Sequence, residues 1–598
     1  MRVEDIIKEL INIPNFFLLK RDKNLNFVDF CSNINGPLEV FSLNPKTEEY
    51  KLISKGHFES NFIRVPQRNS IIFAKDIDGD EKYALYMMDL ESDEITQLTT
   101  PPHYQEFPLT LSPDGCYLAF TSQRERSTNI YKLDLSSNDI IQLTNHKKPF
   151  NSYVFWSSNG WLYYSANETD NRLNYDIWIV KEDGSKNELF YRFSDTSSER
   201  IFDMSKDCKY LLISTDGKET QQSGVLELET KKIKWYGNEK FDERPLEISD
   251  DNSKVMVRRS LGVKRTLVLY DRETEEEETI SAEGVFSTAQ FWNNDESIIY
   301  SFSAPKIPNS IWRYDFKDKT HKILVYPKIP LQNEQLCNSQ YIEYRSFDGL
   351  KIPANLIKPK IKSNQKYPAI VFLIGGPGGN ASLIFDSVGQ IFAQSGFVWL
   401  VPNIRGSSGF GTEYYRMNIM DLGGGDAKDA VYAKKYLESL DYVDPKRIAA
   451  FGGSYGGYMT YLLLTKYSEA NWKAGSAWVG ITHWKTVAEQ GPGGYQELIE
   501  GLLGKYEENK ELWEDRSPLT HIDKIKAPIQ MIQAVNDPRC PIGESRQFRD
   551  RLLELGKKEG EDFEYIELGE KGHGIREKED LAHIIKLVLD FFKRRLKE

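Results

Sequence analysis

At 598 residues the chain exceeds what one hydrophobic core organises, so several domains are expected. Its 40% apolar and 28% charged residues are ordinary for a soluble globular protein, and a net charge of −12 argues against a nucleic-acid groove as the main function. The five cysteines (Cys31, Cys116, Cys208, Cys337, Cys540) are odd in number and widely spaced with no Cys-x-x-Cys pair, which argues against a disulfide framework or a zinc site.

The chain opens on an amphipathic segment, Met1 to Ile11, without the long apolar core of a signal peptide. No stretch approaches the ~20 apolar residues that span a bilayer. A cytoplasmic protein with no membrane partner is the expectation.

From about residue 20 to residue 327 one pattern recurs: a turn-rich cluster, an apolar strand, a second strand ending near an Asp, a charged turn and a short final strand. Tyr86-Met-Met-Asp89-Leu90, leading to Gln97-Leu98-Thr99, matches Tyr131-Lys-Leu-Asp134-Leu135, leading to Gln142-Leu143-Thr144, at a constant offset of 45. The strand opening each unit is followed through Phe27, Ile72, Leu118, Leu162, Leu211, Val255 and Ile298. A period near 45 with four short strands per unit is the signature of a β-propeller, and seven starts imply seven blades. Such a domain is by default an interaction platform. Its histidines (His57, His103, His146, His321) do not cluster and are read as structural.

After Pro330 strands alternate with helical stretches. A hairpin turns around Asp348-Gly349, and strands are expected at 369–374, 398–401, 448–451, 475–479, 529–535 and 563–568. Helices are expected at 385–394, 426–440, 455–466, 543–555 and 581–596. That alternation predicts a mostly parallel eight-stranded sheet covered by helices, the α/β-hydrolase order, with ligands at the carboxyl ends of the strands. Gly452-Gly453-Ser454-Tyr455-Gly456 follows the fifth strand and opens a helix. A serine at such a turn is held strained and exposed at a helix N-terminus, where negative charge is favoured. The nucleophile's partners should follow it as acid, then histidine. Asp537, after the strand ending at Val535, is the acid candidate, and His573, in Gly572-His573-Gly574 before the last helix, is the base. His483 and His521 precede the acid, and His583 sits on the final amphipathic helix. The backbone N–H of Tyr455 is one oxyanion donor by position, and the loop Ile374-Gly375-Gly376-Pro377-Gly378-Gly379 should supply the other. Trp478, Trp484 and Cys540 are candidates for the wall of the pocket for the cleaved residue. The chemistry needs no cofactor and no metal.

A propeller followed by this hydrolase resembles the prolyl oligopeptidase family, most of all its acylaminoacyl-peptidase branch. The resemblance rests on Gly452 to Tyr458, Asn403-Ile404-Arg405-Gly406-Ser407-Ser408-Gly409-Phe410-Gly411, Asp537-Pro538-Arg539-Cys540-Pro541 and Gly572-His573-Gly574. It implies a Ser454–Asp537–His573 triad, oxyanion N–H groups from Gly376 and Tyr455, and Arg539 holding a substrate carbonyl. It also implies an N-terminal helix (residues 1–15) packed on the hydrolase (329–598), and a propeller (16–328) that admits only short peptides. A homo-oligomer, dimer or higher, is compatible with it. Two departures stand out. Ile374 replaces the histidine of the usual His-Gly-Gly-Pro loop, and Ala534-Val535 replaces the usual His-Gly before the acid. The paired glutamates with which dipeptidyl peptidases of the family grip a free N-terminus are not legible. The alternatives are a carboxylesterase on small acyl esters, a dipeptidyl-peptidase-like exopeptidase, and an inactive propeller scaffold.

Overall fold

A computed structural model of the protein describes residues 3–596 apart from 19–25, 55–61, 125–126, 172, 330 and 332–333. His57 lies outside the described residues. Among the described residues no helix is long and apolar enough to cross a membrane.

Up to Val325 the described chain consists almost wholly of short antiparallel strands. Their turns explain the repeat chemically. Asp89, Asp134 and Asp271 each accept backbone N–H groups from the next residues, which closes a tight turn after a strand. At the other end of the units, the hydroxyls of Ser112, Ser205 and Ser249 each donate to the aspartate two residues on. These strands form three four-stranded sheets and two eight-stranded ones. Within the larger sheets, two sets of four meet through Lys82–Tyr104 and Tyr83–His103 in one, and through a single parallel pairing of Arg265 with Val285 in the other. The ring closes where Phe16–Leu18 packs on the last strands: Phe16, Phe30 and Phe41 share a cluster with Trp292, Ile299 and Ile311. Asn309 Nδ2 donates to the Phe16 carbonyl at 2.6 Å. The architecture is a β-propeller.

One sequence expectation changes here. The strands through Ile72, Leu118, Leu162, Leu211, Val255 and Ile298 do not open their units. Each is the second strand, preceded by Phe62–Val65, His103–Leu111, Val154–Trp156, Glu199–Met204, Glu243–Ile248 and Val285–Trp292, and the strand expected at Phe27 begins at Val28, after Phe16–Leu18. These first strands were hidden because they are short or carry polar residues among apolar ones, as in Glu199-Arg-Ile-Phe-Asp-Met204.

The C-terminal sheet has eight strands in the order 339–345, 351–357, 398–402, 367–373, 443–453, 475–478, 529–533, 563–567. The first two pairings are antiparallel and the rest parallel. Alternate side chains supply opposite faces. Ala369, Val371, Leu373, Ile448, Ala450 and Met531 face the helices Gly425–Glu438, Tyr455–Leu464 and Ile542–Glu554. Ile370, Trp399, Ala449, Phe451 and Ile532 face Ser387–Gln394 and Lys578–Arg595. This is an α/β-hydrolase sheet. Four helices fall where none was expected: Thr412–Arg416, Trp484–Gln490, Gly493–Leu503 and Lys510–Asp515. They are short and bury few side chains each, so they leave little periodicity to read.

The first helix, Val3–Ile11, buries Ile6, Ile7, Leu10 and Ile11 in the second of these clusters, on the hydrolase. Lys578 Nζ donates to the Asn12 carbonyl at 3.1 Å. Truncating Leu10 to alanine should lower unfolding stability by about 2–5 kcal/mol, as read by chemical denaturation.

Candidate active site

Ser454 joins the strand Val443–Gly453 to the helix Tyr455–Leu464 with φ 55° and ψ −121°, a left-handed conformation foreign to a side-chain-bearing residue. Glycines on both sides make the turn possible. A Cβ on Gly456 would lie 1.9 Å from the Leu373 carbonyl oxygen, and one on Gly452 would lie 2.4 Å from Gly456. The Ser454 N–H donates to the Trp478 carbonyl on the next strand at 2.9 Å.

Three side chains distant in sequence meet at this turn. His573 Nε2 lies 3.0 Å from Ser454 Oγ, and His573 Nδ1 lies 2.8 Å from Asp537 Oδ2. Asp537 is buried, and its Oδ1 accepts the backbone N–H groups of Arg539 and Cys540, both at 2.9 Å. The carboxylate is thereby fixed in direction. Two other histidines of the domain are engaged elsewhere: His483 with Thr486 and Glu514, and His521 with the Asp515 carbonyl.

The glycine loop Ile374–Gly379 lies over the serine. A Cβ on Gly375 would be in van der Waals contact with the serine, 3.6 Å from Ser454 Cβ, while one on Gly379 would lie 2.2 Å from the Gly375 carbonyl oxygen, so the loop folds back on itself only with bare backbone there. Arg539 forms an ion pair with Glu81 of the propeller, Nε to Oε1 2.8 Å. Of the pocket candidates, Trp478 packs on the nucleophile turn, Trp484 stacks edge-on against Tyr458 at 4.7 Å, and Cys540 is buried beside the acid loop. The Asn403–Gly411 segment forms a scaffold. Arg405 is paired with buried Asp429, and the Gly411 N–H donates to Asp242 of the propeller at 2.9 Å.

Two features were not legible in sequence. The first is one propeller segment, Asp76 to Glu81, which touches both the loop that carries Asp537 and the loop that carries His573. Arg576 holds Asp76 through two bonds of 2.6 Å, Gly79 lies on Gly572 so closely that a Cβ would come within 2.6 Å of its backbone, and Glu81 takes Arg539. A cleft of about 610 Å³ opens beside this seam, lined by Ile77, Trp478, Leu568, Ile575, Arg576 and His583. The second is Asp426, fully buried at the start of its helix, whose Oδ2 accepts the Tyr455 hydroxyl. Burial pushes its carboxyl up to about 6, against hydrogen bonds from Tyr455 and two backbone N–H groups. No local pattern announces either contact, because the partners are far apart in the chain.

Residues 384–598 match the model of the prolyl oligopeptidase family. Dipeptidyl aminopeptidase BIII of Pseudoxanthomonas mexicana is 24% identical over 549 residues, covering 86% of this chain and 77% of that protein. Acylamino-acid-releasing enzyme 2 of Oryza sativa subsp. japonica is 29% identical over 220 residues, 35% of this chain and 28% of that one. The solved structure of a Mycobacterium tuberculosis puromycin-hydrolyzing peptidase superposes with a TM-score of 0.85 at 19% identity, covering 100% of this chain and 96% of that one, and so shares the fold. The C-terminal part of the chain, residues 384–598, is thus similar to the prolyl oligopeptidase family, and the family match and the named peptidase relatives together make the protein a serine peptidase.

Two outcomes follow from these contacts. The Asp426 carboxyl, raised from 3.8 to about 6 in the folded state, binds its proton more tightly there than in the unfolded chain. Its contribution to stability is therefore lost as pH rises from about 4 through 6. The stability of Asp426→Asn relative to the parent should improve across that window, as read by paired denaturation curves at each pH. Replacing Arg576 with alanine releases the histidine loop from Asp76. The expected outcome is a fall in kcat of roughly tenfold or more on a small ester, with little change in KM.

Proposed function

We propose that the protein hydrolyses short peptides with Ser454 as nucleophile, His573 as general base and Asp537 as the group that orients it. The observation that carries this reading is the unbroken chain from Ser454 Oγ to His573 to the buried Asp537 carboxylate. His573 Nε2 takes the hydroxyl proton as Oγ attacks the carbonyl, and returns it to the leaving amine. Water then repeats the sequence on the acyl-enzyme. Asp537 keeps Nδ1 as the protonated nitrogen and stabilises the imidazolium. The N–H groups of Tyr455 and Gly376 receive the negative oxygen. Arg539 binds a substrate carbonyl, and its pair with Glu81 holds the guanidinium ready at the seam.

Seven sets of four successive strands support a seven-bladed propeller over residues 16–328, between an N-terminal helix (1–15) and the hydrolase (329–598). The propeller reaches the hydrolase from several sides, through Asp76 to Glu81, Asp242 and Val263. That arrangement supports a filter that admits oligopeptides and turns away folded proteins. The relative from Oryza sativa supports release of acylated residues. A second reading, cleavage from a free N-terminus, is favoured by Glu81. This propeller carboxylate stands at the site beside Arg539, where an ammonium would find it, and one relative matched over most of the chain is a dipeptidyl aminopeptidase.

A fluorophosphonate probe should label the wild-type chain and not Ser454→Ala, and the variant should lose about a thousandfold or more in rate. Paired digestion of N-acetylated and free peptides of one sequence, read by mass spectrometry, separates the two readings. Turnover of p-nitrophenyl esters with no cleavage of any peptide would replace both with an esterase.

A further inference from the structure

The fold places a third donor beside the acid and the base. One ligand atom each from Asp537, Cys540 and His573 lies within 4.8 Å of the others. Cys540 is three residues beyond Asp537 on the same turn. Its N–H is already bonded to that carboxylate, and its carbonyl accepts Gln533 Nε2 at 2.7 Å, so the backbone beneath the thiol is fixed. The cysteine spacings hid this cluster because His573 arrives from a different strand end.

We propose that this trio is an inhibitory site for a soft divalent cation such as zinc. Thiolate, imidazole and carboxylate are the donors zinc takes in proteins, at about 2.0–2.3 Å, which sets neighbouring donors about 3.3–3.8 Å apart. To seat the ion, the His573 Nδ1–Asp537 Oδ2 pair, now 2.8 Å apart, opens by about 0.5–1 Å while the thiol closes in from its place within 4.8 Å, movements within reach of modest side-chain rotations. A dication also cancels the charges of the thiolate and the carboxylate, so the filled site is neutral in its buried setting.

The proton balance makes occupancy inhibitory. The ion takes the place of the proton between His573 Nδ1 and Asp537 Oδ2, and that proton moves to Nε2. The thiol proton leaves to solvent. The imidazole stays neutral, but Nε2–H now faces Ser454 Oγ, 3.0 Å away, and cannot accept its proton. Magnesium, which prefers oxygen ligands, has no equivalent hold. The inhibition, though not the binding, rests on the peptidase reading above.

The test uses the full chain stripped of metal by a chelator. Zinc chloride is titrated against turnover of a p-nitrophenyl ester, with each variant referred to its own metal-free rate. Wild type should be inhibited and fully restored by EDTA. In Cys540→Ala and Cys540→Ser the half-inhibiting concentration should rise more than about tenfold, and magnesium chloride should leave all three unaffected. In parallel, a cadmium titration follows the thiolate-to-metal absorption. A component present in wild type and missing from both variants is expected even if the ester is not turned over, which separates failure of this site from failure of the peptidase reading. Inhibition of the variants at the wild-type zinc concentration, equal inhibition by magnesium, or cadmium spectra identical in all three proteins would overturn the proposal.

Discussion

The contact between the Leu373 carbonyl and the Cα of Gly456 governs the hydrolase domain. The strand ending at Leu373 and the helix Tyr455–Leu464 approach so closely there that no side chain fits at residue 456, and the serine that opens this helix sits at φ 55°. This backbone conformation is costly for a non-glycine residue, on the order of 1–3 kcal/mol, and persists only because the surroundings over-determine it. They do so here by apolar burial on both faces of the central strand, by the bond from the Ser454 N–H to Trp478, and by the tether from Tyr455 to Asp426. The hydroxyl is thus aimed before any substrate arrives, which is how a preorganised site avoids rearrangement during reaction.

The propeller contributes no member of the serine–histidine–aspartate chain, yet it touches the loops that hold two of them. Asp76 engages Arg576 on the His573 loop, and Glu81 engages Arg539 on the Asp537 loop. The Asp76 side chain is fully buried and doubly bonded, so its pair with Arg576 differs from an ordinary surface ion pair, whose worth is commonly under about 1 kcal/mol. Domain seam and reaction site are therefore one region of the molecule, and the cleft that opens there lies between the two.

Much of this was legible in the sequence because local patterns carried it. The turn residues at Ser112-Pro113-Asp114 and Asp134 announced the repeats because each closes on itself within a few positions. The parallel strands were apolar runs because both faces are buried, and the glycines around Ser454 were forced by sterics. The first strand of each propeller unit was not legible, since Glu199-Arg-Ile-Phe-Asp-Met204 mixes polar and apolar residues without a run. Nor were the partners of Arg539 and Arg576, which lie 458 and 500 residues away. Charged residues do not advertise a distant counter-charge, and single-chain pattern reading has no access to one. The short helices between Trp484 and Asp515 failed for a further reason: each is held mainly by its neighbours and hardly at all by its own periodicity.

The first helix bears on how the molecule is made. It precedes the propeller in the chain, but one of the two helices it docks on, Lys578–Arg595, follows the whole hydrolase sheet, and the bond between Lys578 and Asn12 spans 566 residues. At cellular rates of about 5–20 residues per second, its greasy face waits on the order of a minute for that surface to exist. Over about the second half of that interval the nascent propeller is free to close, because Phe16 and Asn309 are both synthesised well before Lys578. The order of translation therefore lets the ring close before this helix can fasten onto Lys578–Arg595.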